Sequence, residues 1–334
     1  MGERTINDLR QMQAAPLSVK VRMTQRRIRE WVDEFGKDGV YVSFSGGKDS
    51  TVLLHIVREM YPDIPAVFCD TGLEYPEIRE FVKTFDNVEW LKPKMTFRQV
   101  IEKYGYPIIS KDVSDKVHRA RNDECGYAWK VLHGLRSGTR YDLSRWAYLL
   151  DAPFGIGAGC CYTIKKGIVK SYERRTGRKA IIGQMACESV LRTSKWLQHG
   201  CNSFNGKRKI SKPMSFWMEN DVLAYITEKG IPICSVYGDI VEEEELPGQI
   251  AWDDYAGFNI GTKRLTTTGC KHTGCMFCGY GCHLEKPGEG RFERMKVTHP
   301  KQYAYIMKPW DEGGLGYKDV IDWLNEHGNL NIRY

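Results

Sequence analysis

Two groups of residues in this chain are equipped for chemistry. The first is Ser45-Gly46-Gly47-Lys48-Asp49-Ser50, set between an apolar run (Val40, Tyr41, Val42, Phe44) and a helix-like run from Thr51 to Met60. A glycine pair lets backbone N–H groups approach an anion unobstructed, and the next helix points its positive N-terminal end at the same place. The pattern reads as a phosphate cradle, without the GxxxxGK[ST] spacing of a Walker A loop. The second group is cysteine. Cys160 and Cys161 are adjacent, and Cys275-x2-Cys278 lies between Cys270 and Cys282. A C-x-x-C pair puts two thiolates on one tight turn, which is a strong metal signal. Cys69, Cys125, Cys187, Cys201 and Cys234 are scattered and read as ordinary small residues.

These groups need a frame. Val40–Phe44 reads as a buried strand, Ile64–Cys69 as a second, Val88–Leu91 as a third and Lys179–Gln184 as another. Helical patterns fall at 17–36, 51–60, 76–85, 97–104 and 216–229, with two short helices in 300–334. Strands alternating with helices imply an α/β fold with a doubly wound parallel sheet, whose ligands sit at the strands' carboxyl ends. The expected division is an N-terminal helical segment (1–36), a nucleotide-binding α/β domain (37–238) and a loop-rich, cysteine-containing C-terminal region (239–334). Residues 105–155 form a helical insertion in the α/β domain. Its Tyr127, Trp129, Arg136, Arg140, Tyr141, Arg145 and Trp146 either stack nucleic-acid bases or make a plain helical lid.

Composition narrows the partners. The 334 residues carry a formal net charge of +7, suited to a protein that handles anions without choosing among nucleotides, sulfate-like groups and nucleic acid. The N-terminal MGERTINDLRQMQ lacks a leader's apolar stretch, so a cytoplasmic location is expected. Eleven cysteines there argue for metal ligation over a disulfide framework. No apolar run approaches membrane-spanning length, so no membrane partner is expected.

SFSGGKDSTVLLH matches a nucleotide loop, CDTGLEYPEIREF a DTG-x-x-(Phe/Tyr)-Pro-Glu segment, and IIGQMACESVLR a G-x-R-x-x-(Glu/Gln)-S-x-x-R block. Cys160-Cys161 followed by Lys165 and Lys166, KPMSFWMENDVLAYITEKGIPICSVY and TGCMFC complete an ordered series over roughly residues 35–285. Together they resemble the phosphoadenosine phosphosulfate (PAPS) reductase family, within the PP-loop ATP pyrophosphatase (adenine nucleotide alpha hydrolase-like) superfamily. Two departures stand out. Residues 291–334 carry no cysteine where the reductases have a catalytic one, and SGGKDS is intact as in the ATP-splitting relatives.

The resemblance implies an ATP pyrophosphatase or adenylating sulfurtransferase with Mg²⁺, which forms AMP and pyrophosphate to activate an acceptor for sulfur transfer. Lys48, Asp49 and Asp70 are the implied catalytic residues. Ser43, Ser45, Gly46, Gly47, Ser50, Thr71, Gly72, Gly183 and Arg192 join them in holding the nucleotide, with Lys165 and Lys166 as further phosphate contacts. Asp70 alternatively caps a turn with Thr71. Cys160, Cys161, Cys275 and Cys278 match the ligands of a [4Fe–4S] cluster, while the local set Cys270, Cys275, Cys278 and Cys282 suits Zn²⁺. The alternative functions are a sulfonucleotide reductase releasing sulfite from an adenylyl sulfate, and a nucleotide-binding subunit of a DNA- or RNA-modification complex. Implied partners are an adenine nucleotide, a sulfur donor or thiol reductant, and, by extension, a nucleic-acid acceptor and a second copy in a homodimer.

Overall fold

The structure, a computed structural model, describes residues 4–135, 141–206, 208–243 and 264–334. Arg136 and Arg140 of the aromatic insertion lie outside the described residues. In chain order the strands that matter here are β1 (Val40–Ser43), β2 (Ala66–Cys69), β3 (Val88–Leu91), β4 (Ile108–Ile109), β5 (Lys179–Ile182), β6 (Asn202–Ser203), β7 (Ile210–Ser211) and β10 (Gly279–Tyr280), with a hairpin of β8 (Ile240–Glu242) and β9 (Leu265–Thr267). The chain divides into two compact units. One comprises residues 1–70, 75–91 and 169–273, and the other 71–74, 92–168 and 274–334.

The first unit is built on a six-stranded sheet in the order β3-β2-β1-β5-β7-β6, parallel except for the edge strand β6. Alternation decides which face each residue serves. Val40, Val42, Ala66, Phe68 and Ile181 pack with Val52, Leu53 and Ile56 of the helix Lys48–Met60 and with Trp31 of the helix Leu17–Phe35. Their neighbours Tyr41, Val67 and Ala180 face the other way, against Tyr172 of the helix Gly167–Thr176. Apolar residues on both sides are what a parallel sheet covered on both faces requires. An α/β class with a mostly parallel sheet is therefore observed.

Register fixes the site. Ser43 at the end of β1 lies opposite Val67 of β2 and Ile182 of β5. The segments that follow these three strands thus leave the sheet along one edge, and the nucleotide loop follows the central one.

The second unit holds the short parallel pair β4–β10. Around it lie the helices Phe97–Tyr104, Lys111–Asn122 and Tyr127–Leu132 and the C-terminal helices Arg291–Thr298, Pro300–Met307 and Tyr317–Gly328. Buried hydroxyls knit it together. Tyr106 donates to the Leu315 carbonyl at 2.8 Å and Tyr317 to the Phe277 carbonyl at 2.8 Å. The Arg98 guanidinium donates to the carbonyls of Trp310 and Gly314 and stacks on the Trp310 ring, 4.2 Å from its centroid. No described helix is long and apolar enough to cross a membrane.

Gly46 has φ +71°, and a Cβ there would sit 2.9 Å from methyl groups of Ile78 and Val82. Gly230 has φ +60° and ψ 35° with nothing within 4 Å. Gly46→Ala is expected to cost about 1–3 kcal/mol in denaturant unfolding, and Gly230→Ala only about 1 kcal/mol. Equal losses would show that crowding at Gly46 contributes nothing.

Candidate functional site

The nucleotide loop is a closed turn held by hydroxyls. Ser45 N–H donates to Ser50 Oγ at 3.1 Å, and the two serine hydroxyls are 3.0 Å apart. Ser50 Oγ–H donates to the Gly47 carbonyl at 2.9 Å, and Gly47 N–H to Ser45 Oγ at 3.3 Å. The helix begins at Lys48, three residues before the start read from sequence. Lys48, Asp49 and Ser50 therefore occupy its first turn, where backbone N–H groups have no helical acceptor. Gly183 follows β5 and packs on that turn, and a Cβ there would lie 2.9 Å from the Asp49 carbonyl oxygen.

Lys48 is only 1 % exposed. Its ammonium lies 3.0 Å from Glu219 Oε1 and donates to the Lys271 carbonyl at 2.8 Å, with His272 Nδ1 at 3.5 Å. Its backbone N–H donates to Tyr237 Oη at 3.2 Å. Asp49 Oδ1 is buried without a hydrogen-bond partner among the described residues, 4.0 Å from Lys48 Nζ. Burial pushes the Asp49 carboxyl upward. Lys48 and His272 oppose the shift, while Glu188 and Glu219 add to it.

Other expected residues take separate places. Asp70, buried at the end of β2, pairs with Arg79 Nη2 at 3.0 Å, so its first partner is a guanidinium. Arg192 pairs with Glu188, whose carboxylate also accepts from the Met185 N–H at 2.8 Å. Ser43 closes β1. Thr71 and Gly72 belong to the second unit, where Thr71 donates through N–H and Oγ to Glu74 at 2.9 and 2.8 Å and Gly72 has φ +76°. Thr71 thus organises a turn with Glu74. Sequence reading gave no role to Glu219, Tyr237 or the Lys271–Thr273 segment. Glu219 and Tyr237 lie in the stretch that carried the resemblance; a backbone carbonyl acceptor such as that of Lys271 leaves no such mark.

Cys160, Cys161, Cys275 and Cys278 all fall in the second unit, with Cys282, whereas Cys270 falls in the first. Burial raises the Cys160 thiol well above the usual range, and Cys161, Cys275 and Cys278 add to the shift. Burial also pushes Cys275 up to about 12, opposed by Lys165. Cys278 rises by burial against a neighbouring backbone N–H and Arg291, whose Nη1 donates to the Cys278 carbonyl at 2.6 Å. Cys282 Sγ donates to the Gly279 carbonyl at 2.9 Å. The four sulfurs are electrostatic neighbours, yet no three His, Cys, Asp or Glu side chains among the described residues are arranged to hold a metal ion. By type and number the donors suit iron or zinc, and Lys165 and Arg291 supply the positive charge that four thiolates need. Lys165 is thus a neighbour of the cysteines.

A mostly parallel sheet with a glycine-rich anion loop after its central strand defines an α/β nucleotide-loop protein. The model of the phosphoadenosine phosphosulfate reductase domain matches residues 39–279, and the chain belongs to that family, a member of the PP-loop superfamily. A phosphoadenosine 5'-phosphosulfate reductase of Buchnera aphidicola (strain Tuc7) is 43 % identical over 190 residues, 54 % of this chain and 74 % of that one. An uncharacterized protein of Methanocaldococcus jannaschii is 40 % identical over 73 residues, and a phosphoadenosine 5'-phosphosulfate reductase of Xylella fastidiosa 41 % over 54. These matches take in 20 % and 16 % of this chain and only 18 % and 23 % of those relatives' lengths. Among solved structures, the phosphate complex of the Candida auris phosphoadenylyl-sulfate reductase has a TM-score of 0.38 at 15 % identity, over 64 % of this chain and 82 % of that one.

Because burial raises the Asp49 carboxyl, its protonated form favours the fold. That contribution is complete below the ordinary carboxylate range and is lost as pH rises through the raised value. Asp49→Asn is therefore expected to raise the melting temperature at pH 7–8 by about 2 °C, with the gain shrinking towards pH 4. A gain that stayed constant with pH would exclude ionisation as its source.

Proposed function

We propose that this chain binds ATP in the Ser45–Ser50 loop and splits it to AMP and pyrophosphate, activating an acceptor oxygen for replacement by sulfur. The observation that carries the reading is the first helical turn, which sets Lys48, Asp49 and the loop serines at the carboxyl end of a central parallel strand. In the reaction the acceptor oxygen bonds to the α-phosphorus. The bond from that phosphorus to the oxygen bridging to the β-phosphorus breaks, and its electron pair leaves on pyrophosphate. Such catalysis is positioning plus charge stabilisation. Ser45, Gly46, Gly47 and Ser50 would hold the departing pyrophosphate, and Lys48 would neutralise it. Asp49 would orient the loop and help hold Mg²⁺. Asp70 follows β2, Gly183 follows β5 and Arg192 lies in the helix Val190–His199; as supporting residues, Asp70 would leave Arg79 and Arg192 would leave Glu188 to reach the nucleotide. A sulfide equivalent from a donor then bonds to the acceptor atom, and the C–O or P–O bond to AMP breaks.

Cys160, Cys161, Cys275 and Cys278 would hold an iron–sulfur cluster, which when bound can carry sulfide or electrons. Zn²⁺ on these thiols is the competing occupant. The second reading, reduction of an adenylyl sulfate with release of sulfite, is favoured by the names of the reductase relatives. It would draw on a thiol reductant, and the loop would then hold the nucleotide of the sulfonucleotide.

Anaerobically purified protein is expected to contain iron and acid-labile sulfide and to release pyrophosphate from ATP in a screen of acceptors. Lys48→Ala should lower that release by about 10²-fold or more. Zinc without iron would overturn the cluster. Sulfite release from adenylyl sulfate with a thiol reductant, without pyrophosphate release from ATP, would install the second reading.

A further inference from the structure

We infer that Glu219, Tyr237 and the Lys271–Thr273 segment form a latch on the Ser45–Ser50 loop, which a polyphosphate must displace to bind. The inference rests on the reading of that loop as a nucleotide site. An ammonium group has three N–H donors and no acceptor. Those of Lys48 are directed at Glu219 Oε1 (3.0 Å), the Lys271 carbonyl (2.8 Å) and, at longer range, His272 Nδ1 (3.5 Å). The backbone N–H of Lys48, one of the donors a phosphate would use, is taken by Tyr237 Oη.

The latch lies where a phosphate would approach most closely. A Cβ on Gly47 would stand 3.2 Å from Tyr237 Oη and 3.3 Å from Thr273 Oγ1, so both hydroxyls rest against the bare glycine. Those hydroxyls are 2.8 Å apart and hydrogen-bonded to each other. Backbone bonds anchor the segment: Gly269 N–H donates to the Tyr237 carbonyl at 2.8 Å and Cys270 N–H to the Val236 carbonyl at 2.9 Å. Protein acceptors therefore occupy both the ammonium and the first amide of the cradle. Glu219 carries the charge in this latch. Its side chain is 44 % exposed, so it can swing into solvent when an anion takes its place.

This makes Glu219 a positioning residue acting through Lys48, and it gives the loop a selectivity. A multiply charged pyrophosphate group has the charge to displace the carboxylate, whereas a single phosphate such as that of AMP competes less well. Calorimetric titration of inorganic pyrophosphate, of AMP and of ATP into wild type, Glu219→Gln and Thr273→Val tests the latch. Glu219→Gln should bind pyrophosphate about three- to tenfold more tightly, and Thr273→Val about two- to threefold, with the pyrophosphate-over-AMP preference reduced in Glu219→Gln. Thermal melting confirms that each variant is folded, and the near-isosteric Thr273→Val supplies the test should Glu219→Gln fail to fold. Wild type that binds pyrophosphate, with folded variants that bind it no better, overturns the latch alone. Absence of pyrophosphate and ATP binding in all three proteins overturns the nucleotide reading and the latch with it.

Discussion

A lysine ammonium almost wholly removed from water must be compensated, and much of the first unit's architecture around the loop follows from that demand on Lys48. Desolvating an ammonium costs several kcal/mol, recovered only when fixed acceptors surround it. Here they come from far along the chain: Glu219 opens a helix, Tyr237 ends a short turn, and Lys271 offers its carbonyl. The Tyr237 ring adds a π face, 5.6 Å from Lys48 Nζ. The loop is thus one half of an arrangement whose other half is supplied by Glu219, Tyr237 and residues 271–273. Folding of the loop and closure of that later segment are energetically coupled.

Parallel register imposes the second constraint. With β2 and β5 on either side of β1, three connecting segments must share one edge of the sheet. Space there is short, which is why glycine recurs. Gly46 meets Ile78 and Val82, Gly47 meets Tyr237 and Thr273, and Gly183 meets the Asp49 carbonyl. Small residues admit a dense ring of donors and acceptors, and crowding of carboxylates follows. Glu188 and Glu219 lie close enough to Asp49 to add to the cost of ionising it. Arg192 and Lys48 hold that charge in balance through Glu188 and Glu219.

Residues whose structure is governed locally were legible in the sequence. Val88–Leu91 and Phe97–Tyr104 appear with the expected bounds, the latter because Thr96 and Gln99 form a reciprocal cap at its start. Phe216 and Trp217 looked like the first turn of a helix. They are instead core residues ahead of it, and the helix begins at Glu219 after Asp221 accepts the Met218 N–H at 2.7 Å. Lys48-Asp49-Ser50 looked like loop because its neighbours are glycines, yet tertiary contacts extend the helix over it. At the site, residue types were readable and their partners were not. Nothing in local pattern pairs Lys48 with a carboxylate 171 positions later or with a main-chain oxygen. Spacing also grouped Cys270 with Cys275, although the chain passes from one unit to the other between them.

The two sites share a physical logic. In the first unit a buried cation is held by an internal carboxylate and carbonyl, the partners an anion would have to replace. In the second, buried thiols are held protonated, and the placeholder is the proton itself. A soft metal that displaces those protons converts desolvation from a penalty on each thiolate into a shared bond energy. Lys165 and Arg291 already offset part of the negative charge that step creates. On the proposed reading, both sites would be stable without ligands because each carries an internal stand-in. The affinity of each for a ligand would be what remains after the stand-in has been displaced.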